Sequence, residues 1–258
     1  YDHFSPHQDI ISERLASFAR LPSLASGGLI TSIDTLLQRI SPTDFIDGHC
    51  FALTVNDKVN IDILRTKLVR AGYHSVNQVR EHGEFAVRGS ILDMLDDEID
   101  SIREFSPESQ RTIEKTNSIR LLPAKEFPMT ENAIEYFRQT FRSQFAGNPQ
   151  KCPLYQDVSE GICPPGIEYY LPLFFEKTAT LFDYLSKDTS IIILPGVEEK
   201  AHEYWREINM RYEQGKHDIT KPLLPPAQLF IALDEFKQLA NAYPVTTVSN
   251  ALQPETKR

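Results

Sequence analysis

Apolar residues three and four positions apart recur most clearly between Glu131 and Phe145, where Ile134, Phe137, Phe141 and Phe145 share one side of a helical winding. Thr130 marks the start of that helix. The same spacing in Ile11, Leu15 and Phe18 predicts a helix from Gln8 to Phe18, stopped by Pro22. A third amphipathic helix is predicted from Asn60 to Ala71, with Asn60 as its N-cap and Gly72 just past its end. A long helix from about Glu198 to Gln214, one around Asp234 to Ala242, and short ones over Thr35–Ile40 and Leu181–Leu185 complete the helical reading.

Strands show as short apolar runs or as period-two alternation. Leu29–Ile33, after Gly27-Gly28, reads as a short buried strand, and Ser190–Leu194 as a central buried one. Phe51–Val55, Arg111–Lys115, Ser118–Leu122 and Val245–Val248 read as further strands, with Tyr73–Glu81 extended between two of them. Phe85 and Val87 alternate with Ala86 and Arg88, and Gly89 interrupts the run where a bulge is expected. This strand is expected to press against a second, Ile99–Phe105. The junction Asp93-Met94-Leu95-Asp96 lacks the Gly, Asn or Pro that a hairpin needs. Cys163–Gly166 and Tyr169–Phe175 form an aromatic, proline-broken segment expected to pack irregularly.

These patterns predict an α/β protein in several units. Residues 1–49 alternate strand and helix like part of a parallel sheet, 50–123 form a small α+β unit with an antiparallel sheet, and 124–248 form a further α/β unit. Residues 249–258 are polar and read as a linker. The chain opens on Tyr1, without Met and with a helix signal almost at once, as expected of a piece of a longer protein.

The region 83–111 also carries a resemblance. Glu84-Phe85-x-x-Arg88-Gly89-x-Ile91-Leu92-Asp93, then Asp96-Asp97-Glu98-Ile99-x-Ser101-Ile102-Arg103-x-Phe105, then Ser109-Gln110-Arg111, resembles domain 2 of the UvrB-homology module of bacterial transcription-repair coupling factors. Members of that family usually hold a proline-containing turn of roughly a dozen residues between the two strands, and this sequence lacks it. The resemblance implies that residues 1–49 are the C-terminal part of domain 1A, a RecA-like fold without a working nucleotide site. It likewise implies that 50–123 are domain 2 and that 124–248 are domain 1B. It further implies a recruitment module that binds UvrA and so brings excision repair to RNA polymerase stalled at damage. The polymerase and duplex DNA would be met by other domains of the parent protein, and the location would be the cytoplasm. A family arginine in the UvrA contact matches Arg88, and Leu95 falls where the family usually carries Phe. A second family contact arginine lies in the absent turn.

Bulk numbers fit this picture. With 27 basic against 36 acidic residues, the net charge is −9, which disfavours a grip on a phosphate backbone by this stretch. Cys50, Cys152 and Cys163 form no Cys-x-x-Cys pair, so neither zinc knuckle nor redox dithiol is expected. The longest apolar run, Ile191–Leu194, falls far short of a membrane span.

Catalytic chemistry is not legible. Gly27-Gly28 leads into Leu29-Ile30 with no Lys and Ser/Thr at phosphate-loop spacing. Asp96-Asp97-Glu98 has no such loop beside it and reads as a charged approach to a strand. His3 and His7 are four apart, but Pro6 breaks the helical geometry a metal pair would need. The expectation is therefore a non-enzymatic piece without cofactor or metal, whose ATP-driven activity would lie elsewhere in the parent. Arg88 has two readings: an internal salt bridge to the Asp96–Glu98 group, or a forked guanidinium presented to a partner. The rival to the recruitment reading is a fragment of the UvrB helicase subunit of the excision nuclease.

Overall fold

The computed structural model describes residues 5–80, 83–86, 99–106, 109 and 111–248. The first helix, α1 (Gln8–Arg20), buries the predicted face of Ile11, Leu15 and Phe18. The strand expected over Leu29–Ile33 is absent. Ile30 is 98% exposed and Leu29 44%, and helix α2 (Ile33–Leu36) begins where that strand was to end. Among the described residues no neighbouring strand satisfies this backbone, so its β propensity has no ladder to join. α2 is also shorter and earlier than the predicted helix. Gln38 and Ile40 instead form isolated bridges to Phe230 and Ala179, which pin the segment to the far end of the chain. Helix α3 (Thr43–His49), led by Pro42, was not foreseen.

Residues 50–123 carry β1 (Phe51–Thr54), α4 (Ile61–Arg70), β2 (His74–Ser75), β3 (Glu84–Phe85), β4 (Ile102–Phe105), β5 (Thr112–Thr116) and β6 (Ser118–Leu121). β1 pairs antiparallel with β6, β4 antiparallel with β5, and β2 parallel with β3. Among the described residues the Glu84–Phe85 strand therefore lies against β2, not against the Ile102–Phe105 strand as expected, and Ile99 precedes β4 rather than starting it. α4 begins as predicted, with Asn60 Oδ1 accepting from the Ile63 N–H at 3.0 Å. Gly72 follows at φ +88°, a conformation that ends helices cheaply only at glycine.

Beyond lie α5 (Glu131–Gln144), α6 (Pro153–Ser159), a 3₁₀ helix (Ile167–Phe174), a short 3₁₀ turn (Leu181–Tyr184), β7 (Ile191–Ile193), α7 (Val197–Gly215), α8 (Pro226–Leu229), α9 (Leu233–Ala240) and β8 (Val245–Thr247). The aromatic segment expected to pack irregularly is this buried 3₁₀ helix. Phe174 stacks between Phe127 and Phe137, with ring centroids 4.8 and 4.9 Å away. β7 is not a central strand: among the described residues it pairs only with β8, in parallel, and Ile192 is 66% exposed.

Among the described residues three apolar cores hold the chain together. One gathers Phe137, Phe141, Tyr155, Ile208 and Phe230 around the 3₁₀ helix. The second packs α1 and α3 on Ala179, Leu181 and Tyr184, and the third joins Ile33 and Leu37 to Ala201, Ile231 and Phe236. Residues 5–49 and 124–248 thus share two cores, whereas the 50–123 strands contribute to them little beyond Cys50 and Leu122. Helices with small antiparallel and parallel sheets make this an α/β fold of the expected class.

Candidate protein-docking face

Ala124 fastens the 50–123 unit to the rest. Its N–H donates to Ala71 O at the end of α4 (2.8 Å), and its carbonyl accepts from Gln8 Nε2 of α1 (2.7 Å). Gly83, at φ +81°, packs against it closely enough that a Cβ there would sit 3.3 Å from Ala124 Cβ. The Gly83 carbonyl then accepts from His74 N–H, and that of Phe85 from Val76 N–H, both at 2.8 Å, which sets the β2–β3 register. So the chain heading toward Arg88 leaves from a fixed point.

Arg88 and Leu95 themselves lie outside the described residues, as do Asp96, Asp97, Glu98 and Gly89. Leu68, Ala71, Phe85 and Ile99 are buried, while Ile63, Val69 and Ile113 are more than half exposed. Lys67 Nζ lies over the Phe51 ring at 5.7 Å, covering one edge of it. Burial raises the pKa of the Cys50 thiol, partly offset by Arg120 beside it, so this cysteine is a weak nucleophile. Burial and the Lys125 charge lower the pKa of His74.

A cleft of about 540 Å³ lies elsewhere, between α1 and α7, with Arg14, Arg39, Glu126, Glu168, Tyr204 and Arg211 on its walls. Its arginines are already matched: Arg39 to Glu235 at 2.7 Å, Arg211 to Glu207 at 2.7 Å and Arg14 to Glu126 at 3.0 Å. Such a wall has no cation set aside for phosphate. Among the described residues no group of three His, Cys, Asp or Glu could hold a metal ion. No described helix is long and apolar enough to cross a membrane.

The family described as the UvrB interaction domain matches residues 51–95 and 92–127, covering the strand unit and its exit past Ala124. The transcription-repair-coupling factor of Haemophilus influenzae is 41% identical over 262 residues, covering 96% of this chain and 23% of the relative. That of Escherichia coli is 43% identical over 256 residues, covering 93% of this chain and 22% of the relative. Over this stretch the chain is similar to the transcription-repair-coupling factors. It spans under a quarter of their length.

The more distant factor of Rickettsia conorii still aligns over 93% of the chain at 29% identity. The family match breaks into two pieces that meet at residues 92–95, where the coupling-factor pattern calls for the turn that this sequence lacks. The alignment to the Haemophilus influenzae factor is also longer than the stretch of this chain it covers, as residues absent from this chain require.

Sequence reasoning missed one feature, the charged face of β4–β5. Its signal is the alternation of Arg103 with Glu104 and of Lys115 with Glu114. That alternation acquires meaning only with the strand register.

Proposed function

We propose that this stretch is the recruitment module of a transcription-repair coupling factor, and that residues 50–123 dock UvrA through Arg88 and Leu95. The observation that carries this reading is the UvrB interaction domain match over 51–127, set in a chain 41–43% identical to coupling factors. A strand unit that shares little of the body's cores, yet is fastened at Ala124, suits a docking module. In this reading 1–49 and 124–248 are the domain 1A part and domain 1B, the scaffold that carries it, and 249–258 is the linker.

The module turns over no substrate. The cleft arginines Arg14, Arg39 and Arg211 are committed to carboxylates, and the sequence holds no phosphate loop, so the ATP-driven translocation of the whole factor belongs to other parts. Those other parts would meet RNA polymerase and duplex DNA, and the setting is the cytoplasm. The test is co-elution: the chain should travel with purified UvrA on size exclusion and should not bind a fluorescent ATP analogue. Separate elution, or saturable nucleotide binding, would overturn the reading and favour a helicase fragment.

A further inference from the structure

Arg103 faces Lys115 directly across the β4–β5 ribbon, and Glu104 faces Glu114. Side chains alternate along a strand, so the two cations lie on one face and the two carboxylates on the other. Like charges placed directly opposite destabilise a strand pair. Nothing on the ribbon relieves them: residues two positions from Arg103 and Lys115 are Ser101, Phe105, Ile113 and Asn117, with no acid among them. All four charged side chains are exposed, and among the described residues none makes an ion pair or hydrogen bond. None of the ribbon's residues belongs to the three cores.

Among the described residues this pair of cations has no counter-charge and the ribbon joins none of the three cores, an arrangement suited to a group outside the chain. We propose that the Arg103–Lys115 face is a docking surface for an acidic segment of the partner protein, an inference that rests on the UvrA-docking reading above. The guanidinium fork and the neighbouring ammonium match successive carboxylates, one bidentate and one point contact. Ile113, 66% exposed at the β-bulge next to Lys115 and Glu114, adds an apolar contact. Nucleic acid fits less well. Two cations neutralise few phosphates, and the Glu104–Glu114 face and a net charge of −9 repel the rest.

The register supplies a test that separates docking from structure. Lys115→Glu removes the cationic repulsion and pairs position 115 with Arg103, so the Tm of the chain should hold or rise. Its affinity for purified UvrA should nevertheless fall about tenfold or more, with a weaker salt dependence. Glu114→Lys relieves the other pair and should also hold or raise Tm, while leaving UvrA affinity unchanged. Unaltered UvrA binding by Lys115→Glu would overturn the proposal, as would equal losses in both variants. A loss confined to duplex DNA binding, with UvrA binding intact, would make the face a nucleic-acid contact and also overturn it. If the unmodified chain does not bind UvrA at all, the docking reading itself falls and this inference with it.

Discussion

Arg14 Nε and Glu126 Oε1 lie 3.0 Å apart beneath α1, but the N–H is not aimed along the contact, so the attraction is coulombic without a hydrogen bond. Glu126 is 5% exposed, its backbone carbonyl accepts from Ser41 Oγ, and its residue follows Ala124 and Lys125 at the exit of the strand unit. Burial raises the Glu126 pKa, the Arg14 charge opposes that rise, and Glu168 adds to it. Arg14 therefore keeps a carboxylate tolerable where the chain leaves the 50–123 strand unit.

Removing Arg14 leaves that carboxylate buried without its counter-ion. Arg14→Ala should cost about 2–4 kcal/mol at pH 7, below the upper range for buried pairs because Arg14 is itself partly exposed. The pH dependence follows from the direction of the shift. A raised folded pKa means that the protonated group favours the fold, a benefit fully present below the unfolded value of about 4.3 and lost as pH rises through the folded one. The variant's deficit, read from urea melts, should thus narrow as pH falls from 7 toward 4.5. A deficit constant across that range would show that Glu126 is not the group responsible.

Phe137 is fully buried, with the Phe174 ring 4.9 Å and the Phe141 ring 5.6 Å away. Phe137→Ala should destabilise the chain by about 3–5 kcal/mol in denaturant melts, through lost burial and the cavity left behind. A loss under about 1 kcal/mol would mean that the aromatic cluster is not a packed core.

How much could be read in advance depended on how far each element is decided by its own residues. α5 and α4 were legible because their apolar spacing and the caps Thr130 and Asn60 are local, and both caps accept from the expected N–H groups. Leu29–Ile33 was misread because its β-branched run has no strand beside it among the described residues, and β propensity is realised only in a ladder. The 3₁₀ helix at Ile167–Phe174 was invisible for the opposite reason: Pro172 argues against a helix, yet burying Tyr170, Leu173 and Phe174 outweighs it. Arg88 and Leu95 could be named from motif alone and stand outside the described residues. Arg103 and Lys115 were overlooked because a cross-strand pair is a property of register, here shifted by a bulge between Glu104 and Phe105.

The N-cap of α4 tests the strand unit in isolation from the cores. Asn60→Ala removes the acceptor for the Ile63 N–H and should cost about 1 kcal/mol. Hydrogen exchange should localise the loosening to 61–70, leaving α5 protected. Uniform loss of protection would show that the unit does not open separately from the body.

Gly83 tests the joint. An alanine there must adopt φ near +81° and press on Ala124, so Gly83→Ala should destabilise the chain by more than the roughly 1 kcal/mol at which such glycines are valued. Ala124→Gly in the same chain should recover the steric part and leave the backbone part. No recovery would place the strain away from Ala124.

The central claim is that residues 50–123 present Arg88 to UvrA. Calorimetric titration of the chain into purified UvrA, with Arg88→Ala alongside, tests it most directly. The account predicts binding at micromolar Kd or tighter, about −8 kcal/mol or better, and a loss of roughly 1–3 kcal/mol for the variant at unchanged Tm. Full affinity in Arg88→Ala, or a loss of binding that merely follows a loss of folding, would contradict it.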